Sequence, residues 1–316
     1  MSAISMIGAG AFGTAVAATL AICGNEVLLY CRTAEQAERI RATGENAAYL
    51  PGHQIPVGIE PTNDLARALQ ADFVFLAVPA RAINSLADDI RAGLRDGAIV
   101  VNLMKGLNDE FFTFAALFES RVPQARYVAL KGATFAKPLF LGEWSGFTCG
   151  SPSEDDRAAV AGVFCGEPVH LDFASSAHAV DAVSAIKNAY AIVFGMTASL
   201  GLAENTVYML VTRVLNEIRG VVRSLGFNED ILFRYCGIGD ILLTSFCDAS
   251  RNRTLGVMIG KGIPVDPMRP DFLAEGVRTV LILLAHLPPG TAPILARVGE
   301  ILNRRAAPIS ILDALG

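Results

Sequence analysis

Lysine is scarce in this chain. There are five lysines against 21 arginines, and 26 basic residues face 31 acidic ones for a net charge of -5 over 316 residues. No Lys/Arg run occurs, which argues against a nucleic-acid partner; an anion would have to be held by charge gathered at one site. The six cysteines (Cys23, Cys31, Cys149, Cys165, Cys236 and Cys247) show no CxxC and no histidine-rich spacing. That pattern reads as free thiols in a reducing cytoplasm, with no metal site. None of the four histidines (His53, His170, His178, His286) falls in a motif. They read as surface or packing residues, so histidine catalysis is disfavoured. Residues 1–25 carry no charge. A missing basic flank, the break at Gly8-Ala-Gly10 and the arrival of Glu26 speak against a signal peptide or an integral membrane span.

What is present is apolar: 52% of residues are hydrophobic and 18% charged. This length and composition predict two domains with large buried interfaces, and a homodimer is expected. The first half alternates short apolar runs with amphipathic stretches, the pattern of a parallel sheet covered on both faces. Strands are predicted at Ile4–Gly8, Glu26–Tyr30, Phe73–Val78, Ala98–Asn102 and Tyr127–Leu130, with helices over Thr14–Leu20, Thr33–Ala42 and Ala82–Leu94. Beyond about Ser175 helical runs take over: Asp181–Leu200, Thr206–Leu225, Leu273–His286 and Ala292–Arg304. The boundary is placed at 177/178, giving domains 1–177 and 178–316. Segment 263–271, with three prolines, reads as a loop.

Within the helical half one residue stands out. Lys187 is the only Lys or Arg between Arg157 and Arg213, in a run from Asp181 to Met196 that is apolar nearly all round. Such a run is a buried helix. A buried ammonium either loses hydration or drops its pKa toward neutrality, and the second outcome makes a general acid or base. A structural ion pair or a stem reaching to the surface are the competing readings.

Gly8-Ala-Gly10-Ala-Phe-Gly13 follows the first predicted strand and opens a helix, the context of a dinucleotide fingerprint. Gly8 permits the tight turn, Gly10 admits a pyrophosphate, and Gly13 lets helix pack on strand. At the end of the second strand an acid would suit a free ribose hydroxyl. Here Tyr30-Cys31-Arg32-Thr33 supplies a guanidinium suited to a 2′-phosphate, so the reading leans to NADP; an arginine stacked on adenine would also accommodate NAD.

Further segments occur in a fixed order: Asn46–Pro51, Ala77-Val-Pro79, Lys105-Gly106, Gly132–Ala136, Lys187-Asn188, Gly237–Thr244, Ser250-Arg-Asn-Arg253 and Glu275-Gly-Val277. Together they resemble the NAD(P)-dependent glycerol-3-phosphate dehydrogenases over nearly the whole chain. The resemblance implies an α/β N-terminal Rossmann-type doubly wound parallel sheet. An all-α C-terminal domain like that of 6-phosphogluconate dehydrogenase would follow it. It further implies a cytoplasmic enzyme that moves hydride between NADPH and dihydroxyacetone phosphate or sn-glycerol 3-phosphate. The alternative is the same chemistry on another small phosphorylated, phosphonylated or carboxylated hydroxy or keto compound.

By that resemblance Lys187 is the proton donor or acceptor, Asp240 holds its charge, and Lys105 touches cofactor and substrate. Gly8, Gly10, Ala11, Phe12, Gly13, Arg32, Val78, Pro79, Ala136, Arg251 and Glu275 would line the cofactor. Gly132, Thr134, Asn188, Thr244, Ser250, Arg251 and Asn252 would face the substrate. Departures from the family pattern are also present. Lys131 and Ala133 replace a small hydroxyl residue and a proline, Val183-Ser184 replaces a glycine pair, and Tyr208 and Val214 replace small residues. Lys131 either brings a further cation into the pocket or turns out to a surface acid such as Glu143.

Overall fold

In the computed structural model, residues 3–264 and 275–315 are described. The proline-rich loop expected at 263–271 lies outside them from residue 265 onward. The chain divides into two compact units, one of Met1–Met104 with Thr113–Val180, the other of Lys105–Phe112 with Asp181–Gly316.

The first unit is an eight-stranded sheet. Its strands are β1 (Ala3–Ile7), β2 (Glu26–Tyr30), β3 (Ile59–Thr62), β4 (Phe73–Leu76), β5 (Ile99–Asn102), β6 (Arg126–Lys131), β7 (Ser145–Gly150) and β8 (Val169–Ala174). Their order is β3-β2-β1-β4-β5-β6-β7-β8. Every residue of β4 (FVFL) and β5 (IVVN) is buried, as required of central strands with helices on both faces. The helices are α1 (Ala11–Ile22), α2 (Ala34–Thr43), α3 (Leu65–Ala68), α4 (Ile83–Gly93), α5 (Phe114–Arg121), α6 (Ala136–Phe140) and α7 (Glu154–Ala161). Side chains set several of their starts: Thr33, Thr113 and Ser153 each accept the N–H three residues on.

The sheet departs from an all-parallel one at a single pair, because β7 runs antiparallel to β6. Between them lies only the five-residue α6, too little for a covering crossover, and the chain turns back. Strands β3, β7 and β8 escape the apolar-run pattern: IEPT carries a proline, SGFTCG is small and polar, and VHLDFA is largely half-buried at the sheet edge. The cysteines require a correction. Cys23, at the C-cap of α1, is bonded to Cys165 across 142 residues, because the fold brings the end of α1 against the segment leading to β8; the other four are free thiols.

The second unit is helical: α8 (Ala177–Ser199, from Asp181 in this unit), α9 (Glu204–Ser224), α10 (Ile238–Phe246), α11 (Arg251–Gly260), α12 (Glu275–His286) and α13 (Pro293–Leu302). Length and composition alone would let α8 cross a membrane, yet its whole apolar window is buried inside the protein, where it forms the core of the unit. Helix α11 lies backbone to backbone along α8. A Cβ on Gly195 would sit 2.1 Å from the Arg253 carbonyl oxygen, and one on Gly256 would sit 2.1 Å from that of Ile192. Glycine at these crossings is a steric requirement.

A buried carboxylate ties α8 to two more helices. Glu217 of α9 accepts the Tyr190 hydroxyl of α8 at 2.9 Å and the Ile294 and Leu295 N–H groups of α13 at 2.7 and 3.1 Å. It thereby satisfies amides that the start of α13 leaves open. The loop 105–112 joins this unit through an Asp109–Arg278 ion pair and a Phe112–His286 ring contact at 4.9 Å.

Candidate active site

The glycine loop sits where the strand order reverses, between β1 and β4, the position at which open α/β sheets bind ligands. Gly8 has φ +118°, and a Cβ there would lie 2.5 Å from the Ala77 carbonyl oxygen. A Cβ on Gly13 would lie 2.0 Å from the Gly8 oxygen, so the first turn of α1 must carry glycine at this position. Gly10 is different: a Cβ would meet nothing within 4 Å, so its missing side chain leaves open space at the helix start. As N-cap of α1 it offers no side-chain acceptor, and the N–H groups of Ala11 and Phe12 head the helix. A helix start whose cap carries no side chain is suited to a pyrophosphate, so these residues fit a dinucleotide.

Sequence reasoning gave no role to the groups that brace this loop. Asn46 is buried and donates to the Ala9 carbonyl at 3.0 Å and to Thr14 Oγ1 at 2.8 Å, while Gln36 also donates to Ala9 at 3.0 Å. A buried asparagine in an otherwise loop-like stretch was the available signal. Val78 and Pro79 follow β4, with Val78 packed toward Gly8, and Ala136 opens α6, which packs on α1. Arg32 is exposed, two residues past β2 and just before the α2 cap.

Gly132 and Thr134 lie beyond β6, where Thr134 N–H donates to the Gly132 carbonyl at 2.9 Å. Lys131 does not reach Glu143. It is 1% exposed, and its Nζ donates to the Asn102 carbonyl at the end of β5 at 2.6 Å. The strand register places Lys131 two residues beyond Ala129, the partner of Asn102, within reach of that carbonyl.

The second unit gathers the charged cluster. Lys187 is 4% exposed on α8, and its Nζ donates to Asp240 Oδ1 and, at 2.8 Å, to Thr244 Oγ1. Lys105 donates to the same carboxylate at 3.0 and 3.3 Å. Asp240 and Thr244 are one turn apart on α10, and the aspartate sits in its first turn, where the helix dipole favours negative charge. One carboxylate thus serves two ammonium groups. Burial and the neighbouring Lys105 charge bring Lys187 down to about 7, against the upward pull of Asp240. Such a lysine can hold or release a proton near neutral pH.

Close by in sequence, Ser250 is the N-cap of α11: its Oγ accepts the Arg253 N–H at 3.3 Å and keeps its own hydrogen to donate. Arg251 is the first residue of α11 and exposed. Asn252 and Asn188 are hydrogen-bonded to each other at 3.0 Å, and Asn252 also accepts the Gly276 N–H at 2.9 Å beside Glu275. Lys105, Lys187, Asn188, Asp240, Thr244, Ser250, Arg251, Asn252 and Glu275 all belong to the second unit. The glycine loop, Arg32, Val78, Pro79, Gly132, Thr134 and Ala136 belong to the first. Of the histidines, His53 and His170 lie against Phe140 and Trp144, and His178 is hydrogen-bonded to Thr113 and Glu119.

Comparison with known proteins matches both halves of the chain to one family. Residues 3–157 match the family of the NAD-dependent glycerol-3-phosphate dehydrogenase N-terminus, and residues 177–313 match that of its C-terminus. A glycerol-3-phosphate dehydrogenase [NAD(P)+] of Ectopseudomonas mendocina is 36% identical over 287 residues, covering 90% of this chain and 84% of that protein. One of Azotobacter vinelandii is 35% identical over 318 residues, covering 99% and 93%. A crystal structure of glycerol-3-phosphate dehydrogenase from Coxiella burnetii superposes with a TM-score of 0.90 at 22% identity, covering 99% of this chain and 98% of that one, which establishes the shared fold. With both halves matched in order and a third of the residues identical across most of its length, the chain belongs to the NAD-dependent glycerol-3-phosphate dehydrogenase family.

Proposed function

We propose that this protein interconverts dihydroxyacetone phosphate and sn-glycerol 3-phosphate with NAD(P), favouring NADP. The observation that carries the reading is Lys187, a buried ammonium held by Asp240 and Thr244 and brought down to about 7. When bound, the reduced cofactor supplies the hydride that substrate C2 accepts. Lys187 donates a proton to the C2 oxygen as the alcohol forms and takes it back in the reverse direction. Asp240 keeps the lysine aimed and balances its charge, and Lys105, on the same carboxylate, adds positive charge where an oxyanion develops.

The phosphate end is assigned to Asn188, Ser250 and Arg251, an amide, a hydroxyl and a guanidinium near the start of α11. The cofactor is assigned to the Gly8–Gly13 loop with Val78, Pro79, Ala136 and Glu275. Arg32 is assigned to a 2′-phosphate, and its exposed guanidinium just beyond β2 supports the NADP preference. The assignment includes a cytoplasmic homodimer. Exposed Tyr208, Met209, Phe233 and Phe246 on the helical unit support self-association.

The test removes the proton. Lys187→Met keeps the apolar stem, so turnover of dihydroxyacetone phosphate should fall by about 100-fold or more while NADPH binding persists. Near-normal turnover in this variant would overturn the assignment.

A further inference from the structure

Two neighbouring strands of the sheet unit lead into segments that carry predicted site residues. After β5 the chain runs through Leu103 and Met104 to Lys105, which meets Asp240; after β6 it runs into Gly132 and Thr134. These are the carboxyl ends of the strands, where open α/β sheets bind their ligands. The register pairs Asn102, the last residue of β5, with Ala129, so β6 continues two residues beyond its neighbour. Lys131 stands at that further end, and its ammonium donates to the Asn102 carbonyl at 2.6 Å.

Asn102 is wholly buried, and its surroundings are held as firmly. Its Oδ1 accepts the Met104 N–H at 2.9 Å, its Nδ2 donates to the Tyr127 hydroxyl at 2.7 Å, and the Leu103 N–H donates to the Leu76 carbonyl at 2.9 Å. These bonds pin residues 102–104 to β4, to β6 and to each other. The base of Lys131 is rigid too. Its backbone pairs with Thr148 of β7, and a Cβ on the next residue, Gly132, would stand 1.8 Å from the Gly146 carbonyl oxygen. Burying an ammonium is costly, and an apolar side chain would fill the same space at lower cost. What the ammonium adds is a charge-assisted bond to one particular carbonyl, at the point where the chain departs for Lys105.

We propose that Lys131 is a positioning residue: it clamps the exit of β5 and thereby sets where Lys105 stands. It acts through Lys105 and touches neither substrate nor cofactor. This rests on the proposed function for the reaction that Lys105 serves. The physics is general: a lysine charge rides on a flexible four-carbon stem, so it is placed only as well as its backbone and its carboxylate partner allow.

The experiment is a double-mutant cycle of Lys131→Met and Lys105→Met, read by steady-state reduction of dihydroxyacetone phosphate, with urea denaturation of every variant. Lys131→Met keeps the stem and removes the donor. Its kcat should fall about 10-fold or more with KM little changed, and in the Lys105→Met background it should cost nothing further. Losses that multiply would show that Lys131 acts by another route, and lower stability with an unchanged kcat would show a merely structural lysine. Either result overturns the proposal. Should Lys131→Met fail to fold, Tyr127→Phe takes its place in the cycle: it loosens the same exit by removing the acceptor of the Asn102 amide and keeps the ring against Phe118. Amide hydrogen exchange without cofactor or substrate separates the clamp from the proposed function. Exchange at Leu103 and Met104 should quicken about 10-fold or more in Lys131→Met, and unchanged exchange overturns the clamp. A wild-type protein that does not reduce dihydroxyacetone phosphate would sink the proposed function, and the exchange arm would still decide whether Lys131 holds the exit of β5.

Discussion

At the scale of the residue, the chemistry turns on the difference between Lys187 in water and Lys187 in the fold. Burial takes its pKa from 10.5 to about 7. The sign of the pH dependence follows from which form is needed. Oxidation of the alcohol needs the neutral amine, so its kcat/KM should rise with pH through about 7 and then level. Reduction of the ketone needs the ammonium and should fall above the same point. Paired pH–rate profiles check this, and an oxidation rate flat from about pH 6 to 9 would move the titration to another group. The sequence exposed this lysine by its isolation among apolar neighbours. It could not show that Thr244 and Lys105 share in fixing the charge, since those contacts span 57 and 135 residues. Lys131 marks a second limit: its departure from the family pattern marked it as unusual, but only the structure revealed a buried ammonium on the Asn102 carbonyl.

At the scale of the element, periodicity located the central strands and the long helices, because residues buried on all sides must be apolar whatever their partners. Strands β3, β7 and β8 were illegible for other reasons: β3 and β8 lie at the edges of the sheet, partly solvated and free to carry Pro, His and Asp, and β7, though mostly buried, is built of small and polar residues. Helix contacts were also hidden. Gly256 in a helix reads as a mild liability until α8 is seen against it. A methyl group there would need space occupied by the Ile192 carbonyl, so Gly256→Ala should cost about 1–3 kcal/mol, the usual range for overpacking. Because Ser250 and Asn252 ride on the same helix, KM for the phosphorylated substrate should rise as well. Urea denaturation with steady-state kinetics reads both. A fully stable variant would show that α8 and α11 are less tightly apposed.

At the scale of the whole molecule, the Cys23–Cys165 bond closes a loop of 142 residues within the sheet unit. Tethering so long a loop restricts the unfolded chain, typically by about 2–4 kcal/mol. Cys165→Ser and reductant on the wild type should lower the unfolding free energy by similar amounts, and reductant should do nothing further to the variant. Equal stability with and without reductant would show that the bond contributes nothing. Cysteine spacing could not anticipate the pair. The two residues become neighbours only through the path of the chain around the sheet. The same holds for loop 105–112, which follows a sheet strand in sequence yet packs with the helical unit through Asp109 and Phe112.

The sequence by itself determined the sheet-then-helix division, the glycine loop, and the isolated lysine. Each is a local signal: a burial period, a steric need for glycine within six residues, a charge where none should be. Only the tertiary structure decided which carboxylate holds Lys187, that Asn188 bonds to Asn252, and that two distant cysteines meet. Those depend on groups far apart in the chain converging within hydrogen-bond or bonding distance, and no local pattern encodes that convergence.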